Sequence, residues 1–156
     1  MLRPARLPPR PVDLRNAMPR YSHVVPTEKF RVDRASPRRA RAFAETVLRN
    51  ARVDDTTRET VRLLVSEVVT NAVLHARSDV EVSVGVHATH VRVEVEDESS
   101  DAPMLRHPEP MSATGRGLQF LEQLASRWGW NGSEGGRPGK QVWFEVSRLD
   151  AVSTSA

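Results

Sequence analysis

Apolar residues recur along the chain with two periods, and the periods separate helices from strands. Ala40, Phe43, Ala44, Val47 and Leu48 fall three and four apart, the spacing of one helix face. Ser36-Pro37 precedes them, which predicts a helix with Ser36 as cap and Pro37 at the first helical position, ending near residue 50 or 51. Val61, Leu64, Val65, Val68, Ala72 and Val73 repeat the same spacing. Thr56-Thr57-Arg58-Glu59 matches a capping box and predicts that this longest helix runs over 56–76. The period then changes to two: Val80, Val82, Val84 and Val86 alternate, as do Val91, Val93 and Val95, so a hairpin is predicted with residues 87–90 as its connection.

Glycine and proline divide the remainder. Val24, Val25, Phe30 and Val32 form an extended lead-in over residues 23–32, and Pro26 confines it to a sheet edge. Residues 99–114 are polar, with three prolines, a loop of a length that is usually functional or mobile. Gly115-Arg116-Gly117 follows and leads into Leu118, Phe120, Leu121, Leu124 and Ala125 at helical spacing. Residues 128–131 and 142–146 read as two closing strands around a glycine-rich turn over 132–139. The order is strand, helix, helix, strand, strand, loop, helix, strand, strand. It predicts an α+β two-layer sandwich, a mostly antiparallel sheet covered on one face by about three helices. A dinucleotide fold would need strands and helices to alternate one by one.

Composition narrows the class. The 156 residues suit one core, and 38% hydrophobic with 28% charged residues describes a soluble globular chain. Without cysteine, neither disulfides nor thiol chemistry is available. The sequence pI of about 10.1 suggests nucleic acid. However, Arg3, Arg6, Arg10, Arg15 and Arg20 against Asp13 give residues 1–20 a net +4, while the whole chain is +3. The basic character therefore belongs to a proline-rich arm, not to a folded face, which argues against a nucleic-acid surface. The expected organisation is a disordered arm over 1–20, one domain over 21–147 and a flexible tail over 148–156. No stretch reads as a signal peptide or membrane span, and a cytoplasmic protein is expected.

Three places carry candidate chemistry. Glu67 and Asn71, four apart, share one helical stripe that His75 continues. A carboxylate, an amide and an imidazole in line can surround hydrated magnesium or a phosphate, although spacing alone also fits a solvated helix face. Asp97 ends a valine-rich strand, where a buried carboxylate could accept from an adenine amino group or simply end the strand in a turn. Gly115 and Gly117 precede a helix whose exposed N–H groups and dipole would favour an anion; a hinge explains them equally well, and Arg116 is either a phosphate partner or a solvated charge.

In combination and in this order, the motifs resemble a known family. Residues 66–76 (SEVVTNAVLHA) look like the asparagine-bearing helix of the GHKL ATP-binding superfamily, in the variant of bacterial anti-sigma-factor serine kinases. Val95-Glu96-Asp97 resembles the adenine-recognition segment, Thr114-Gly115-Arg116-Gly117-Leu118 the second glycine box, and residues 139–144 the closing strand. The resemblance covers roughly residues 25–147. It implies a protein serine kinase that binds ATP and Mg2+. Glu67 would be the catalytic base, Asn71 the metal ligand, and Asn71, His75, Asp97, Thr114, Gly115, Arg116, Gly117 and Leu118 the nucleotide-binding set beneath a lid formed by 99–114. It implies a sigma factor and an anti-anti-sigma protein as partners, and a homodimer. The alternative on the same fold is a non-catalytic switch that only sequesters a partner. Two positions depart from the family's pattern: Ser99 stands where glycine is usual, and Gln141 where a threonine supports adenine.

Overall fold

The computed structural model describes residues 25–100, 117–132 and 138–150. Five strands and three helices follow in the order β1 (Thr27–Phe30), α1 (Ser36–Asn50), α2 (Asp55–Asn71), β2 (Val80–Val86), β3 (His90–Asp97), α3 (Gly117–Leu124), β4 (Arg127–Gly132) and β5 (Lys140–Ser147). The sheet order is β1-β2-β3-β5-β4, with every neighbouring pair antiparallel. The fold is thus the expected α+β sandwich. Consecutive strands β2–β3 and β4–β5 pair across short connections and β1–β2 across both α1 and α2, while the central β3–β5 pair brings together segments far apart in sequence. The expected arm over 1–20 lies outside the described residues. Among the described residues no helix is long and apolar enough to cross a membrane.

The two periods meet in one core. Val80, Val82 and Val84 of β2, Val91, Val93 and Val95 of β3, and Val142, Phe144 and Val146 of β5 are buried on the sheet's inner face. Against them lie Ala40, Ala44 and Leu48 of α1, Val61, Leu64, Val65, Val68 and Val69 of α2, and Leu121 of α3. Each of the valines, leucines and the phenylalanine contributes about 1.5–3 kcal/mol on leaving water, so this layer carries most of the fold's driving force.

Both helix starts differ from the sequence expectation. Ser36 is not a cap: Ala35 holds that position without a side-chain bond, while Ser36 is buried and donates its hydroxyl to the Arg31 carbonyl. The second helix begins two residues earlier than the capping box implies. Asp54 caps it, accepting from the Thr57 backbone N–H at 2.8 Å and the Thr57 hydroxyl at 2.6 Å. Aspartate is as good a cap as threonine, and its charge also suits the positive end of the helix dipole. Burial would raise the Asp54 carboxyl, but the bonds from Thr57 and from Asp150 outweigh it and hold the group down to about 2.

Residues 148–150 are held by several hydrogen bonds, and residues 151–156 of the expected tail lie outside the described residues. The Arg148 backbone N–H donates to the Thr89 carbonyl, its guanidinium to the His87 carbonyl and the Asp150 carboxylate, and the Leu149 N–H to Asp54. Residues 148–150 thus tie the β2–β3 turn to the start of α2.

The outer face of the sheet has a small polar system of its own. Trp143 points away from the helices yet is only 3% exposed. The Arg92 guanidinium lies 4.3 Å over its ring, held by Glu94 at 2.8 Å and Glu145 at 3.0 Å. Gly129 is its cross-strand neighbour, and a Cβ there would lie 2.9 Å from the Trp143 ring.

Three outcomes follow from this packing. Gly129→Ala should lower stability by about 1–3 kcal/mol in urea denaturation, because the buried indole and its stacked arginine must both move. Asp54→Ala should cost about 1 kcal/mol. Because the folded carboxyl sits below its ordinary 3.8, its charge-linked contribution is present above that pH and is lost as pH falls towards about 2. The third concerns His87, whose ring stacks on His90 with centroids 4.5 Å apart. Burial and the neighbouring His90 lower its pKa from 6.5 against the pull of Glu145. The unfolded chain then binds the proton more readily, so stability is full above about pH 6.5 and falls as pH drops below it. Thermal melts from about pH 7 to pH 5 should show a smaller decline for His87→Gln than for the parent.

Candidate functional site

Helix α2 sets one wall of the candidate site. Its inner stripe is committed to the core, which leaves Glu67 and Asn71 on a half-buried flank. The α-helix ends at Asn71, and Ala72–Ala76 continue as a π-helical turn closed by the Arg77 N–H bonding back to the Ala72 carbonyl at 3.2 Å. Such wider turns occur mostly as single insertions and often at functional sites. Each residue of a wider turn advances the side chain through a smaller angle, so His75 does not extend the Glu67–Asn71 stripe at the α-helical pitch. It is exposed, unlike those two residues. Arg77 then takes a left-handed conformation, φ 50°, that ends the helix and turns the chain towards β2.

Asp97 is buried at the last position of β3, on the inner face. Its partner comes from a strand 43 residues away in sequence. Lys140, the first residue of β5, lies directly across the ladder and places Nζ 2.9 Å from Asp97 Oδ2 and 3.1 Å from Oδ1. Both residues are more than nine-tenths buried. Removing one member of such a pair leaves an uncompensated charge and costs about 3–5 kcal/mol, several times the roughly 1 kcal/mol net value of a neutral hydrogen bond.

The surrounding backbone is anchored as well. The Ser99 N–H donates to Asp97 Oδ1 at 2.8 Å, the Gly139 N–H to the Ser100 hydroxyl at 3.3 Å, and the Glu98 N–H to the buried Ser78 hydroxyl at 3.0 Å.

These contacts correct the reading of both departures. Gln141 faces the other side of the sheet, opposite Glu96, and its amide reaches Glu94 at 3.4 Å. The side chain of β5 that meets Asp97 is Lys140. Alternation back from Phe144 and Val142 puts Lys140 on the inner face, but its meeting with Asp97 depends on the β3–β5 register. Ser99 carries no strain, since among the described non-glycine residues only Arg52 and Arg77 have positive φ. Gly139, beside Lys140, does need its freedom at φ 143°.

Helix α3 starts at Gly117, so the glycine does feed directly into a helix. Thr114, Gly115 and Arg116, and the expected lid apart from Ser99 and Ser100, lie outside the described residues, as does the side chain of Leu118. Helix α2 packs against α3, β3 and β5, so the flank with Glu67 and Asn71, the strand ending in Asp97 and the helix starting at Gly117 belong to one packed unit. Together they offer a buried acceptor, a half-buried carboxylate and amide, and a helix N-terminus. That donor and acceptor set fits a purine nucleotide better than a bare metal ion. Among the described residues, no group of three or more His, Asp or Glu side chains could hold a metal by itself.

Residues 30–145 match the family described as the histidine kinase-like ATPase domain. No curated protein matches the chain. The matched span runs from the end of β1 into β5 and contains Glu67, Asn71, Asp97, Gly117 and Lys140. With most of its length inside that match, and with the antiparallel sheet beneath α2 and α3, the chain belongs to the histidine kinase-like ATPase domains, an ATP-binding family.

Proposed function

We propose that the protein is an ATP–Mg2+-dependent anti-sigma factor that phosphorylates a serine of an anti-anti-sigma partner and, when not so countered, holds a sigma factor. The observation that carries the reading is the pairing of Glu67 with Asn71, one turn apart on the half-buried flank of α2. In this reading, ATP supplies the phosphoryl group, with Mg2+ to neutralise it. Glu67 would take the proton of the serine hydroxyl as its oxygen bonds to the γ-phosphorus and ADP leaves, and Asn71 would help hold the Mg2+ that neutralises the phosphates. Such chemistry depends mainly on positioning and charge neutralisation, so a short list of side chains suffices. The residues near Gly117 hold phosphate at the start of α3, where helix N–H groups are unpaired. The protein acts as a homodimer in the cytoplasm.

The test has two stages. Titration calorimetry should show binding of ATP with Mg2+ at millimolar concentration or below; no binding there ends this reading. A partner recovered by pull-down with and without ATP–Mg2+ should then accept labelled phosphate on a serine. Glu67→Ala should slow transfer by about 10²–10⁴-fold, the range expected for a general base, while ATP binding stays within a few-fold. Binding without transfer to any partner would assign the fold to partner sequestration alone.

A further inference from the structure

We propose that the base is read by the buried Asp97–Lys140 pair acting together, with Asp97 accepting from the adenine amino group and Lys140 Nζ donating to the neighbouring ring nitrogen N1. The inference rests on the ATP-binding reading and deepens it, because it makes Lys140 a specificity-determining residue.

Three observations carry it. The first is placement. Asp97 and Lys140 occupy the ends of β3 and β5, where both strands leave the core, and the pair keeps a residual exposed edge, 9% of the Lys140 side chain and 3% of that of Asp97. The second is valence. A carboxylate offers about four acceptor positions and an ammonium three donors. Among the described residues, Asp97 Oδ1 accepts hydrogen bonds from Lys140 and the Ser99 N–H, while Oδ2 makes only the ion-pair contact with Lys140 Nζ. One acceptor position on Oδ2 and one donor on Nζ thus stand side by side, 2.9 Å apart. The third is energetic. A neutral amino group cannot replace the charge of Lys140, and stripping a buried ammonium of its partner costs several times what one neutral hydrogen bond returns. The base is therefore added to the intact pair.

An acceptor beside a donor matches the adenine edge, an amino donor beside the N1 acceptor. Both new bonds involve a charged group, which strengthens them relative to neutral ones. Guanine in the same seat would set its O6 against the Asp97 carboxylate and its N1–H against the ammonium, so the ordered pair also selects between purines.

The experiment measures binding of ATP, GTP and 1-deaza-ATP, in which a C–H replaces ring nitrogen N1, to the full-length protein and to Lys140→Met. The parent should bind ATP at least about tenfold more tightly than 1-deaza-ATP, the scale of one charge-assisted hydrogen bond. In Lys140→Met the two should bind alike, and the preference for ATP over GTP should shrink. Equal binding of ATP and 1-deaza-ATP by the parent would overturn the proposal, as would tighter ATP binding by Lys140→Met, which would make Lys140 a competitor for Asp97. Should that variant fail to fold, as judged by circular dichroism, the comparison of analogues on the parent still decides. A parent that binds none of the three nucleotides overturns the ATP reading itself, whereas ATP binding indifferent to N1 overturns only the role of Lys140.

Discussion

Everything at the candidate site depends on how α2 is pressed onto the valine face of the sheet. Val61, Leu64, Val65, Val68 and Val69 all lie inside, and a helix that buries so wide a stripe has its rotation about its own axis fixed. Turning it to bring Glu67 further in would lift several valines into water, at about 1.5 kcal/mol or more each. The position of Glu67 and Asn71 is thus imposed by the core. They stand on the flank because the apolar positions leave them nowhere else to go.

The same logic governs the sheet. Period-two alternation divides β5 into Val142, Phe144 and Val146 on the helix side and Gln141, Trp143 and Glu145 on the other. The two faces then do different things. The outer one builds a self-contained arginine–tryptophan–glutamate system that covers the indole without a second layer. The inner one ends in a buried ion pair where the apolar residues run out. One residue of register would exchange these roles, which is why the identity of the side chain facing Asp97 is a question of counting along the strand.

Much of this is legible in the sequence itself. The order of elements, the hairpin, the long helix and the antiparallel sandwich follow from spacing, and so does the glycine that opens α3. Less legible was what depends on partners distant in sequence. Asp54 and Thr56 are both adequate caps, and nothing local says that Asp54 wins; its additional contacts with residues 149 and 150 come from the far end of the chain. The π turn at Ala72–Ala76 leaves no mark in composition, since AVLHA fits an ordinary helix equally well. The Asp97–Lys140 pair needed the β3–β5 register, a contact across 43 residues that no local pattern encodes.

That pair also tells something by its cost. Taking a carboxylate and an ammonium out of water together is often no better for stability than a well-packed apolar pair of the same volume, and can be worse by a few kcal/mol. The inner face of this sheet is otherwise valine and phenylalanine, so an apolar solution was close at hand at both positions. Stability is therefore a poor reason for the ions. They lie where β3 and β5 emerge from the core, in the same packed unit as the flank of α2 and the start of α3. The valine layer gives the domain its stability, and under the proposed function the ionic end of β3 and β5 is where the base is read.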